Sequence, residues 1–231
     1  MDKRFTRILV PRSWNLRQLL SVLLVVCCGG LTGCSLGVMA GKMLFDDPVL
    51  TCEFTARTRV DLRKGHKKLL VVCSTPESIK SEFPSLDFDL LELVARNLRQ
   101  NEIETVSLDE VATWLDDVGG SWESPSELAE QFDADYIIHI DLDEFDFREK
   151  SSPNLLRGRA LGNVYAYRVS GEGGQKFAAE VFVSEFRSEY PRHSPVPSDQ
   201  VSPKTFRSDY VRQVSKKISR LFYNYRMGSD Y

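Results

Sequence analysis

Histidine is scarce in this 231-residue sequence: His66, His139 and His193 are the only three, and they lie far apart. That spacing excludes a His-Glu-x-x-His metal helix. There is no Cys-x-x-Cys pair, no Gly-x-Ser-x-Gly elbow for a nucleophilic serine, and no Gly-x-x-x-x-Gly-Lys phosphate cradle. Basic residues are not in surplus either: 30 Lys and Arg face 33 Asp and Glu. A phosphate-backbone partner needs clustered Lys and Arg to release counterions, so nucleic acid is not expected as a partner. Long low-complexity runs are missing, and a hydrophobic content of 42% is enough for a packed core. The length predicts one folded domain plus extras. No cofactor is expected.

What is present begins with a leader. Residues 1–17 carry Lys3, Arg4, Arg7, Arg12 and Arg17 against a single acid, Asp2. Leu19 to Val26 is almost continuously apolar, and Leu31-Thr32-Gly33-Cys34 follows. A basic head, a short apolar middle and small residues before a cut site form the export pattern. The last four residues resemble the lipobox of bacterial lipoproteins. That resemblance implies cleavage between Gly33 and Cys34 and a diacylglycerol on the Cys34 sulfur, so that residues 1–33 are a signal peptide. Ser35 resembles the sorting signal for the outer membrane. The competing reading is an uncleaved span from Gln18 to Gly41, long enough to cross a bilayer but holding five glycines. Either way the body lies outside the cytoplasm. Without residues 1–33 the chain keeps 25 basic and 32 acidic residues, a net charge of about −7.

Residues 34–66 read as a lipid-anchored tether, with an edge strand expected over 54–62. Cys52 and Cys73 remain in the mature body, and in an oxidising compartment two cysteines can pair. The alternative for Cys73, at the end of Leu69-Leu70-Val71-Val72, is a buried small hydrophobe in a strand.

The folded domain is expected over 67–231. The run 69–73 predicts a strand covered on both faces. Pro76 and Pro84 bracket a loop. Leu90, Leu91, Val94 and Leu98 share one helical face. A short strand is expected at 103–106, then a helix opened by Ser107 and closed by Gly119-Gly120, then another opened by Ser124-Pro125. Residues 134–142 predict a strand. Alternation over 161–169 and 177–186, around Gly171 to Gly174, predicts a β-hairpin with one wet face. Ser202-Pro203 opens a C-terminal amphipathic helix whose stripe runs from Phe206 to Tyr225, about six turns. The order β-α-β-α-α-β-β-β-α predicts an α/β (α+β) fold, a mixed sheet of about four to six strands with packed helices.

At Phe132-Asp133-Ala134-Asp135-Tyr136-Ile137-Ile138 the element order resembles periplasmic lipoproteins of the TolB amino-terminal-domain type. That group includes the curli-secretion lipoprotein and activator lipoproteins of penicillin-binding proteins. The resemblance spans about residues 67–225. The family's Leu-Gly before Ala-Asp is Phe132-Asp133 here. It implies a non-enzymatic envelope binding or assembly module with an envelope protein partner, and a structural role for Asp135 at a helix–strand corner.

One cluster carries chemistry. Alternation places His139, Asp141 and Asp143 on one strand face, an arrangement in which a cation can be shared. The bland reading is an exposed strand end whose charges discourage edge pairing. Leu155 to Arg159 is a basic island, read as a solvated loop or a contact for anionic lipid or glycan. Tyr210, Phe222, Tyr223 and Tyr225 read as core packing or as a docking stripe. Two further functions stay open beside the assembly module: a solute- or glycan-binding module and a lipid-tethered hydrolase.

Overall fold

Residues 54–62 alternate well enough to predict an edge strand, yet Glu53–Thr58 is a helix, α1. The reason is tertiary. Phe54 is fully buried, its ring against Tyr136, Phe182 and Phe222. Its amide donates to the Leu221 carbonyl at 3.0 Å. Arg59, at φ 63°, ends the helix in the left-handed region. Just upstream, Val49–Leu50 (β1) pairs antiparallel with Tyr225–Arg226 (β8). Residues 49–66, expected as tether, therefore contribute core side chains: Cys52, Phe54 and Leu62. The computed structural model describes residues 49–120 and 122–226, which fall in one compact unit, Val49–Ser229. The expected signal peptide with Gly33, then Cys34, Ser35 and the first part of the expected tether, lie outside the described residues. Among the described residues no helix is long and apolar enough to cross a membrane.

The architecture is mixed α/β, as the sequence predicts. Lys68–Ser74 forms β2, buried at every interior position. The bracketed loop at 76–84 instead holds a six-residue helix, Glu77–Glu82 (α2), with Ile79 buried. Leu86–Gln100 (α3) buries the predicted stripe Leu90, Leu91, Val94 and Leu98, and Leu86 besides. Glu104–Thr105 (β3) runs parallel to β2. Leu108–Asp117 (α4) and Pro125–Gln131 (α5) lead into Tyr136–Glu149 (β4), also parallel to β2. Ser152–Glu172 (β5) and Gln175–Tyr190 (β6) form the antiparallel hairpin. Val196–Pro197 (β7) pairs with β5, and Pro203–Ser219 (α6) closes the fold. The six-stranded sheet has the order β3-β2-β4-β5-β6, with β7 beside β5.

The caps follow sequence chemistry unevenly. Ser124 Oγ accepts from the Glu127 amide, and Ser202 Oγ from the Thr205 amide at 3.1 Å. Ser107 occupies the cap position of α4 without that bond. Helix α6 stops at Ser219, short of the predicted end. Leu221 and Asn224 are drawn instead into bonds with the amino-terminal segment: Leu221 O accepts from Phe54, and Asn224 Oδ1 accepts from the Cys52 amide at 2.9 Å.

The chain moves from β2 out to β3 and then back past β2 to β4. Right-handed crossovers in opposite directions place α3 on one face and α4–α5 on the other. On the first face Val71, Ile138, Val164, Ala166, Phe182 and Phe186 pack against α3 and α6. Gly158 lets α6 close onto β5, because a Cβ there would sit 2.4 Å from the Tyr210 ring. Register shifts between β4 and β5 and between β5 and β6 change which residues face which way. Tyr167 pairs with Glu180 while Ala166 pairs with Phe182, so Val181 is the extra residue. The hairpin's apolar alternation therefore breaks: Phe182 is buried, while Phe177 and Val183 are 47% and 40% exposed.

Candidate functional site

The second face is helix-covered at one end only. Helix α5 packs mainly on β6, with Ser126 Oγ accepting from the Ala178 amide at 3.3 Å and Leu128, Ala129 and Phe132 buried. Further along, the register of β2, β4 and β5 places Ser74, His139, Asp141, Asn163, Tyr165 and Tyr167 side by side. All are half-buried.

Four rings run in series there. Trp122 meets His139 edge-on at 5.5 Å between centroids. His139 stacks on Tyr165 at 5.8 Å, and Tyr165 on Tyr167 at 6.3 Å. The alternation of Tyr165 and Tyr167 was visible in the sequence as hairpin patterning. Trp122 comes from the loop between α4 and α5, and Ser74 from the end of β2; no periodicity links either to His139. The strand order alone brings them together.

Ser74 bridges the polar members. Its Oγ lies 2.7 Å from His139 Nε2 and 3.0 Å from Asp141 Oδ1. A hydroxyl has one proton to give. The charge-assisted bond to the carboxylate is the stronger, so Ser74 donates to Asp141 and accepts from His139 Nε2–H. Burial holds the His139 imidazole below its ordinary range, with Asp141 pulling the other way. The imidazole is thus neutral near pH 7 and its Nε2 carries the proton. It cannot take the Ser74 proton in that state, so the three residues form a positioning network rather than an activated nucleophile.

Asp143 does not join them. Residues 142 and 144 of β4 pair with 162 and 161 of β5, so Asp143 is the bulged residue, and it accepts from Asn163 Nδ2 at 3.3 Å. After the bulge Glu144 and Asp146 take the second face while Phe145 and Phe147 turn to the first. No group of three His, Cys, Asp or Glu side chains suited to a metal occurs among the described residues.

The other expectations land as follows. Cys52 and Cys73 are both free, buried thiols, not a disulfide. Burial pushes the Cys73 thiol up, which removes thiolate chemistry there. The basic island is not a loop but part of β5. Arg157 and Arg159 both pair with Glu149, at 3.1 and 2.8 Å, and Arg157 also reaches Glu189 at 2.8 Å. Arg159 first of all, by its hydrogen bonds, holds the Glu149 carboxyl below its usual range. Tyr210, Phe222 and Tyr223 are core residues. Asp135 is structural: Oδ2 accepts from the Lys68 amide at 2.8 Å, its amide donates to Lys68 O, and its carbonyl accepts from Val169. It ties the starts of β2 and β4 to the far end of β5.

The outer edge of β6 is capped by side chains. Arg57 Nη1 donates to Val183 O at 2.6 Å, Lys217 Nζ to Arg187 O, and Ser126 accepts from Ala178. Occupied carbonyls and amides discourage strand addition. The half-open ring row is therefore the better surface for a partner.

No family model matches this chain, and no curated protein matches it. Solved structures do. A PelC dodecamer from Paraburkholderia phytofirmans is similar at 14% identity and TM-score 0.37, over 77% of this chain and 94% of that one. Lipoprotein GNA1162 from Neisseria meningitidis is similar at 15% and 0.37, over 66% and 98%. The rare lipoprotein B from Shewanella oneidensis gives 14% and 0.27, over 64% and 89%. Likeness of this degree carries no function across.

Proposed function

We propose that this chain is a lipid-anchored lipoprotein of the bacterial envelope whose domain works by binding, not by catalysis. The anchor reading rests on the lipobox at Leu31–Cys34 and on Ser35, which favours the outer membrane facing the periplasm. The binding reading rests on one observation: the series Trp122–His139–Tyr165–Tyr167, half-exposed on the uncovered end of the sheet. Aromatic rings with polar tips are the side chains that anchor interfaces. The assembly-module role belongs with the TolB-type element order, and an envelope protein is the partner. Commitment of the Ser74 proton to Asp141 speaks against a hydrolase. The same rings, flanked by Asp141 and Asn163, also suit a glycan, which is the second reading.

The test is photo-crosslinking in cells, with the full chain carrying p-benzoylphenylalanine at position 165 or, as control, at Lys150. A protein adduct specific to position 165, lost on Trp122→Ala, supports the reading. Adducts equal at both positions would sink it. Intact mass of the purified native protein tests the anchor separately: an unmodified Cys34 removes it.

A further inference from the structure

Charge is unevenly spread along this chain. Between Arg99 and Arg148 lie 48 residues without a lysine or an arginine, and they hold fifteen Asp and Glu. They form β3, α4, α5 and most of β4, so they both cover the second face and supply one of its central strands. The one histidine among them, His139, is neutral. A stretch of net −15 in a mature chain of about −7 leaves the remainder net positive. Among the described residues only two of the fifteen have an ion pair: Glu104 with His66 at 3.2 Å, and Asp133 with Lys176 at 3.9 Å.

The register sets carboxylates around the rings. Tyr165 stands between His139 and Val183, and Tyr167 stands beside Glu180. One row on, Asp141, Asn163 and Glu185 lie in line. Residues directly opposite in antiparallel strands hold their Cβ atoms about 5 Å apart. Tyr165 and Tyr167 are therefore bounded by Asp141, Glu180 and Glu185, and none of these three has an ion pair among the described residues. Ser74 donates to Asp141 but brings no charge. Burial first, then the Glu180 carboxylate, the Tyr165 phenol and the Asp141 carboxylate, pushes the Tyr167 phenol up. The cations of β5 and β6 on this face lie elsewhere. Arg157 and Arg159 are held by Glu149, Lys176 donates to the Phe132 carbonyl at 3.1 Å, and Arg187 stands opposite Leu161, beyond Glu185.

A side chain suited to this surface has an apolar stem to lie along the rings and a positive head to reach their margin. Lysine and arginine have both, and an aromatic face attracts a cation besides. We propose that the ring row seats a basic segment of the envelope protein partner, its Lys or Arg stems on Tyr165 and Tyr167 and its charges against Asp141, Glu180 and Glu185. This rests on the binding reading and names the chemistry of the partner. An acidic segment meets like charge on both sides of the rings and is turned away.

The test follows the fluorescence anisotropy of two labelled peptides of equal length, one alternating Lys and Ser, the other Glu and Ser. Each is titrated with the purified full chain in neutral detergent at about 150 mM salt, where exposed charges further apart than about 8 Å are screened. The Lys peptide is expected to bind about tenfold tighter than the Glu peptide. Glu180→Gln is expected to weaken it several-fold. Asp199→Asn makes the same change of charge beside β7, which pairs ten residues along β5 from Tyr165, and is expected to leave it unchanged. Tyr165→Leu alters no charge and is expected to weaken it several-fold. Equal affinity for the two peptides overturns the proposal. So do equal losses in Glu180→Gln and Asp199→Asn, or native affinity in Tyr165→Leu, because each means a diffuse pull by an acidic chain. Displacement of the Lys peptide by neutral maltohexaose overturns it as well and gives the row to a glycan. Crosslinking from position 165 keeps the two readings apart. An adduct at native yield in a Glu180→Gln/Glu185→Gln chain sinks the basic segment and leaves the protein partner standing; loss of the adduct there supports the basic segment.

Discussion

One sheet shows two unlike faces. The first is closed by α3 and α6 over a continuous apolar layer, with Phe54, Phe182 and Phe222 in mutual contact and Phe83 wedged between Phe145 and Phe147. The second has helices at one end, then a row of half-buried rings and carboxylates. The difference teaches where stability and recognition reside. Rings on the first face have no water to meet and act as core. Rings on the second keep one side wet, held in place by each other and by the Ser74 bridge.

The comparison breaks most readily by truncating one ring on each face. Phe54→Ala removes a fully buried ring that touches three others and should cost about 3–5 kcal/mol in urea unfolding. Tyr165→Ala should cost well below that, because its ring is only half-buried. Equal losses would mean that the second face is core as well. Next comes Gly158→Ala. Its new methyl would meet the Tyr210 ring at 2.4 Å, where ring and backbone are both packed. Overpacking of this kind costs about 1–3 kcal/mol. A thermal melt unchanged by Gly158→Ala would show that α6 can lift off β5 freely, and the first face would not be tightly closed.

Much of the first face was legible in the sequence, and the second was not. Leu90, Leu91, Val94 and Leu98 announce α3 by period alone, because burial on one face of a helix writes itself at i, i+3 and i+4. The run 69–73 announces a central strand in the same way. Bulges leave no such trace: an extra residue at 143 or 181 reverses inside and outside downstream, so Asp143 and Val183 were placed by an alternation that the sheet does not keep. Helix α1 was misread because Phe54 is held by Leu221 and Phe222, more than 160 positions away. The ring row failed for the same reason. Trp122, His139 and Tyr165 become neighbours only once strand order is known.

The smallest expected effect sits inside the second face and tests its polar bridge. The His139 pKa in the folded chain lies below its ordinary 6.5, through burial. The unfolded chain therefore binds more protons than the folded one near that pH. Stability is full above the unfolded value and is lost as pH falls through it towards the folded value. Unfolding followed in urea at pH 7.5 and at pH 5.5 should show the loss in the native chain. His139→Gln should remove that part of the loss and keep an amide for Ser74. Asp141→Asn should deepen it, since the carboxylate is what draws the imidazole pKa back up. A native-like loss in His139→Gln would assign the acid sensitivity to other groups. An Asp141→Asn chain no more acid-sensitive than the native one would mean that the carboxylate does not act on the imidazole, and that the Ser74 bridge holds the strands without coupling their charges.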